Sequence, residues 1–239
     1  MKKLLILLLS ILILPLSVYA SSRHNILGTT TGWDNGNYKI LSDIKVNNLQ
    51  IRHVRDVDSR KCANRSQHDD HLEINGPINP DTPYIVEKLL KKIDDSPNHC
   101  ISPKNGKKFA TVVWLNSGGG YMKDGYKLGE IFRQYQAQTK IAGWGGECYS
   151  SCATAFLGGK FRNMGEESKL MFHAPYTYSS IFGRDISCAY SDDKLLSYMK
   201  KMLNEIDGKF LYERTMSYCS ETAGWSLNKD AAELFEILK

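Results

Sequence analysis

Past its first twenty residues the chain has no apolar run long enough to cross a bilayer, so no stable membrane span is expected once that segment is removed. An excess of one charge is also lacking: 31 Lys and Arg against 26 Asp and Glu leave a formal +5. No stretch interleaves basic with aromatic residues as a nucleic-acid surface does, so no nucleic-acid partner is expected. Paired Cys-x-x-Cys knuckles are missing and the histidines are not spaced to complete one. The sequence therefore calls for no metal and no cofactor. Repeats and low-complexity segments are absent too. The full chain is 42% hydrophobic and, without its first twenty residues, of a size that fits one domain with a real core.

Those first twenty residues have their own pattern. Met1-Lys2-Lys3 is basic, Leu4 to Leu14 is almost unbroken apolar sequence, Pro15 ends the run, and Val18-Tyr19-Ala20 is a small-x-small site. This predicts a secretory signal peptide over 1–20 and a mature chain from Ser21, exported to the periplasm or secreted. An uncleaved anchor would need a longer apolar core. In an oxidising compartment the six cysteines are expected as disulfides. Six allow fifteen pairings; the pairing expected here is Cys62–Cys100, Cys148–Cys152 and Cys188–Cys219. The alternative for Cys148 and Cys152 is a pair of buried thiols.

Residues 21–70 read as a polar N-terminal extension with short strands at Tyr38–Leu41 and Leu49–Val54, the second alternating with period two. Residues 59–71 read as a charged loop, and His68-Asp69-Asp70-His71 within it as solvated rather than metal-binding. From Leu72 the pattern becomes alternating strand and helix. Leu72–Ile78 predicts a strand. Asp81 or Thr82 would cap a helix whose apolar face is Ile85, Val86, Leu89, Leu90 and Ile93. Phe109–Leu115 has the continuous apolar, β-branched character of a buried parallel strand. A helix follows, then strands at Thr139–Trp144 and Leu170–His173, one long helix over Lys194–Tyr212 with Ile206 and Phe210 inward, and a short helix over Ala231–Leu238. Alternation of this kind argues for an α/β fold with a largely parallel sheet.

Three features fall at strand C-terminal ends, where such sheets collect functional groups. Asn116-Ser117-Gly118-Gly119-Gly120 follows the buried strand; its glycines would let backbone N–H groups face a cavity. Gly145-Gly146-Glu147-Cys148-Tyr149-Ser150-Ser151 follows the next strand and puts a serine at a helix start. His173 ends the third strand. A serine is a poor nucleophile without a base, and this histidine could supply one.

In order and spacing, Leu72–Gly76, Asn116–Gly120, Ser150 and His173 resemble the proteolytic subunit of Clp protease, within the crotonase-like superfamily. The chain looks closer still to that subunit's exported relatives, with their Cys-x-Ser-x-Cys element followed by Phe-Leu-Gly-Gly. The resemblance covers roughly 71–238 and implies, for a domain over 71–239, a crotonase-like (ClpP-type) fold of repeated ββα units. It also implies a serine peptidase acting on a peptide or protein substrate. Ser150 would be the nucleophile, His173 the base, and Gly119 or Gly120 with Ser151 the oxyanion donors. The family's aspartate has no counterpart in register, and Glu221 is the candidate third member. A carboxylate on the far nitrogen of His173 would complete a triad; a backbone carbonyl there would favour a non-catalytic protein that binds a peptide or another envelope protein. A homo-oligomer is left open.

Overall fold

The computed structural model describes residues 38–56, 59–142, 145–178 and 186–238. The expected signal peptide over 1–20 and residues 21–37 of the extension lie outside them, as do Gly143 and Trp144 of one expected strand.

Two alternating runs form an antiparallel hairpin, Tyr38–Val46 (β1) and Leu49–Asp56 (β2). Asn47 and Asn48 join them with φ of 47° and 65°. Asparagine tolerates that region, and two positive φ values give the turn whose twist matches the strands it connects. β2 then pairs antiparallel with Asp69–Asn75 (β3), so the hairpin extends the sheet that carries the rest of the fold.

The His68–His71 segment is not the solvated loop its charge suggested. It enters β3, where Asp70 and His71 are only 5% and 6% exposed. The reason is pairing: the Asp70 carboxylate accepts from Arg55 Nε (2.8 Å) and Nη2 (2.9 Å) across the ladder, and lies 3.0 Å from His53 Nε2. Burial alone would raise the Asp70 pKa, but these bonds, Arg55 before His53, outweigh it and hold the carboxyl well below the usual range. A depressed carboxylate stabilises the fold fully above about pH 4, where the unfolded aspartate is also ionised, and that contribution is lost as pH falls through the lowered value. Asp70→Asn is therefore expected to cost about 2–3 kcal/mol near neutral pH. In urea melts its deficit should narrow on acidification below about pH 4. A deficit that stays constant under acid would contradict this account.

Asp81–Asp94 (α1) buries Val86, Leu89, Leu90 and Ile93. Neither Asp81 nor Thr82 caps it in the expected way. Pro80 occupies the cap position and has no side-chain acceptor, so the task falls one residue back. Asn79 Oδ1 accepts from the N–H of Asp81 (3.0 Å) and Thr82 (3.2 Å), and Thr82 Oγ1 accepts from Asn79 N–H (3.0 Å). The expected strand at Phe109 begins instead at Val112–Asn116 (β4). Phe109 is 37% exposed because its backbone bonds the disulfide loop rather than the sheet: its N–H donates to Cys100 O and its carbonyl faces His99 Nε2.

Next come Met122–Gln134 (α2), Gln138–Ile141 (β5), Glu147–Tyr149 (β6), Ser151–Phe156 (α3), Phe161–Met164 (β7) and Lys169–Phe172 (β8). The central sheet runs β1-β2-β3-β4-β5-β7, antiparallel up to β3 and parallel from there. A second sheet holds β6 and β8 in parallel, with Trp225–Leu227 (named β11 below) antiparallel on the far side of β8. Leu72, Ile74, Val113, Leu115, Phe132 and Phe156, all fully buried, belong to one continuous core. Short α3 ends among donors that satisfy the carbonyls at and just past its C-terminus. Thr139 Oγ1 reaches Phe156 O (2.8 Å), Arg133 reaches Leu157 O (3.1 Å) and Gly158 O (3.0 Å), and buried Arg162 reaches Gly159 O (3.0 Å).

Tyr176–Tyr178 (β9) and Ile186–Cys188 (β10) form a small antiparallel hairpin with no counterpart among the expected strands. The single helix expected over Lys194–Tyr212 is two, Asp193–Met202 (α4) and Glu205–Met216 (α5). Asn204 starts the second by accepting from the N–H of Ile206 (3.0 Å) and Asp207 (2.9 Å). The break turns Ile206 outward, 79% exposed, and leaves Phe210 at 36% rather than inside. β11 and Lys229–Leu234 (α6) complete the chain. The three expected disulfides are all present, with Cα–Cα distances of 5.2, 5.1 and 5.7 Å. Three cystines are what an oxidising compartment permits. No helix of the described residues is long and apolar enough to cross a membrane.

Candidate active site

Strand register brings the candidate residues together. β6 pairs in parallel with β8 through Tyr149↔Met171, so Ser150 leaves its strand beside the point where Phe172 and His173 leave theirs. Ser150 N–H donates to Met171 O (2.9 Å). On its other side β6 is bridged by the extension of β4, Ser117↔Cys148, which carries the glycine loop alongside. Ser150, His173 and Gly120 consequently line one cavity of about 650 Å³.

Ser150 stands at φ 57°, ψ −122°. A side-chain-bearing residue rarely adopts that conformation, which costs on the order of 1–3 kcal/mol and needs firm neighbours to hold it. Those neighbours are visible. The disulfide Cys148–Cys152 closes the chain around it, Thr154 N–H donates to Ser150 O (3.0 Å), and Gly119 presses against it. A Cβ on Gly119 would lie 2.7 Å from both Ser150 Cβ and Tyr149 O. The Ser150 hydroxyl does not cap α3. The neighbouring serine differs: Ser151 is fully buried, and a Cβ on Gly125 of α2 would lie 2.9 Å from its Cβ.

The glycine loop is clamped on its outer side by the backbone of Ile78. Ile78 N–H donates to Gly119 O (2.8 Å) and Tyr121 N–H donates to Ile78 O (3.1 Å). Gly120, at φ 150°, has no room for a side chain, since a Cβ would fall 2.0 Å from Ile78 O. The two candidate donors now separate. Gly119 N–H is bound by Ser117 Oγ at 3.0 Å, whereas Gly120 borders the cavity and its N–H has no partner among the described residues. Ser151 opens α3, where the first N–H groups have no intrahelical acceptor.

His173 is 3% exposed. Its Nδ1 lies 3.0 Å from Ala174 O. A carbonyl can only accept, so neutral His173 carries its proton on Nδ1 and leaves the Nε2 lone pair free. No hydrogen bond joins Ser150 Oγ to the ring among the described residues, and catalytic bonds commonly tighten only around substrate. The far nitrogen therefore meets a backbone carbonyl and not Glu221. Glu221 borders the same cavity, but its Oε1 accepts from Tyr178 OH at 2.8 Å. That bond comes first among the causes that push the Tyr178 phenol up to about 12. Tyr176 and Tyr178, from the unassigned hairpin, are lining residues that sequence reasoning missed. The alternation Tyr176-Thr177-Tyr178 ahead of Cys188 was the available signal.

No group of three or more His, Cys, Asp or Glu able to hold a metal occurs among the described residues.

No protein-family model matches the chain, and no curated protein matches it by sequence. Solved structures do match. A serine-to-alanine mutant of the membrane-bound stomatin-specific protease 1510-N aligns with a TM-score of 0.52 at 15% identity, over 70% of this chain and 75% of that one. A lysine-to-alanine mutant of the same protease, in complex with a substrate peptide, aligns at 0.54 and 16%, over 70% and 71%. An asparagine-to-aspartate mutant of ClpP1 from Listeria monocytogenes gives 0.49 and 16%, over 76% and 90%. The likeness to the stomatin-specific protease is one of fold, and it meets the fold expected of the chain.

Proposed function

We propose that this protein is an exported serine hydrolase, a peptidase that works through an acyl-enzyme on Ser150. The observation that carries this reading is the strained backbone of Ser150. A sharp strand-to-helix turn presents a hydroxyl clear of its own helix, as nucleophile elbows do, and a serine kept only for packing or capping has no use for it.

In the proposed cycle His173 Nε2 takes the Ser150 proton as Oγ bonds to the substrate carbonyl carbon. The carbonyl oxygen becomes an oxyanion that accepts from the N–H groups of Gly120 and Ser151. On collapse the C–N bond breaks, the amine leaves with the proton from Nε2, and the acyl group stays on Oγ. Water then attacks, giving a proton to Nε2 and releasing the acid as Ser150 recovers its hydrogen. The Ala174 carbonyl enforces the tautomer this needs. It lacks the full charge with which a carboxylate stabilises the imidazolium, so a slow enzyme is expected. Loss of a triad carboxylate costs about 10⁴ in kcat where the tautomer is also wrong; here the tautomer is right and the cost should be smaller.

That same carbonyl, with Glu221 engaged by Tyr178, supports a second reading: a non-catalytic cleft that binds a peptide or another envelope protein. On the missing carboxylate alone this reading would lead. The strain at Ser150 reverses the order. Residues 71–239 would then be the working unit and 21–70 its extension, with the cystines supporting export by the signal peptide over 1–20. The test is labelling of the purified mature protein with an uncharged fluorophosphonate. Labelling that disappears in Ser150→Ala is expected; an unlabelled wild type would leave the binding reading.

A further inference from the structure

The cleft beside Ser150 has a chemistry that bond cleavage alone does not use. One wall is aromatic. The Tyr176 ring lies 5.5 Å from that of His173, and Tyr178 meets Tyr176 edge-on at 5.8 Å. Exposed Tyr121 borders the same cavity. At the rim the Glu221 carboxylate is bound through one oxygen by Tyr178 OH. Among the described lining residues there is no lysine or arginine to neutralise it. The wall is also fixed before any ligand arrives. β9 pairs with β10, Cys188 of β10 is bonded to Cys219 two residues before Glu221, and Ala174 N–H donates to Tyr218 O at 2.9 Å. Tyrosines and carboxylate are thus stapled to one another, which lowers the ordering cost of binding.

We propose that this wall is a subsite for a cationic side chain, so that the peptides taken by the cleft carry a lysine or arginine near the bond presented to Ser150. Aromatic faces attract a cation through their quadrupole, and a carboxylate at the edge adds a charged hydrogen bond. An acidic side chain in the same place would face an uncompensated negative charge. The inference rests on the cleft being the peptide-binding face of Ser150, and it specifies the substrate class of that site.

The experiment uses the mature Ser150→Ala protein, so that binding is read without turnover. Blocked hexapeptides of alanine and glycine carry Lys, Arg, norleucine or Glu at each position in turn, and affinity is measured by calorimetry. At one or two positions Lys and Arg should bind about tenfold more tightly than norleucine, with Glu the weakest. Adding Glu221→Gln, or raising the salt to about 0.5 M, should cut the Lys advantage to roughly threefold. Equal affinity of Lys, norleucine and Glu at every position would overturn the inference. So would no binding of any peptide, or a preference that survives both Glu221→Gln and Tyr178→Leu. The outcomes separate from those for the nucleophile, because the fluorophosphonate probe needs no peptide. Labelling without a cation preference removes this subsite alone, and a cation preference in a protein that never labels removes catalysis alone.

Discussion

Ser150→Ala is expected to lower peptide hydrolysis by about 10⁴-fold or more, His173→Ala by a similar factor, and the double variant by little beyond either. In the proposed cycle the hydroxyl keeps its proton without the base, and the base has nothing to activate without the hydroxyl, so the two should act as one unit. The folded state should be nearly indifferent to Ser150→Ala, because the hydroxyl caps nothing and the strained backbone is kept. Thermal melts should superpose while the rates part. Two single losses that multiply in the double variant would mean that Ser150 and His173 act independently, contrary to the proposed cycle.

Gly158→Ala is expected to be among the most damaging changes to stability, although it touches no reacting atom. A Cβ at Gly158 would lie 2.0 Å from Gly129 O and 2.4 Å from Gly129 Cα, both backbone atoms of α2 that cannot swing aside. Relief requires α2 and α3 to move apart, and their contact runs from Gly125 against Ser151 to Gly129 against Gly158. Overpacking of this kind costs about 3 kcal/mol or more when backbone is the obstacle. Because α3 carries Ser150 at its head, labelling should fall along with the urea midpoint. An unchanged midpoint would show that the two helices are not packed this closely. The Phe-Leu-Gly-Gly run is therefore a packing device for the helix that begins beside Ser150.

The pattern of the sequence predicted the parallel strands, α1, α2 and the disulfides, because burial on both faces and helical periodicity write themselves into residue type. It failed where a single polar side chain decides. Asn204 splits one apolar stripe into α4 and α5, and Asn79 replaces the expected cap because Pro80 follows it. The Asp70 cluster misled for the same reason: charge reads as solvent until Arg55 and His53 arrive from the neighbouring strand. In the candidate site, the sequence pointed to Ser150, His173 and the glycine loop through their places after strands. It could not choose between Gly119 and Gly120, since that turns on Ser117 Oγ occupying one N–H. Nor could it reach the Ala174 carbonyl or the backbone angles of Ser150, which come from chain geometry and have no residue type of their own.

The most direct measurement locates the phosphonyl group after reaction of the mature protein with a fluorophosphonate, by fragmenting the peptide that holds Cys148 to Cys152. Two serines stand side by side there, and they differ in the structure: Ser150 borders the cavity, while Ser151 is fully buried. A single adduct on Ser150, lost in His173→Ala, is the expected result. An adduct on Ser151, or a protein that stays unmodified, would contradict it.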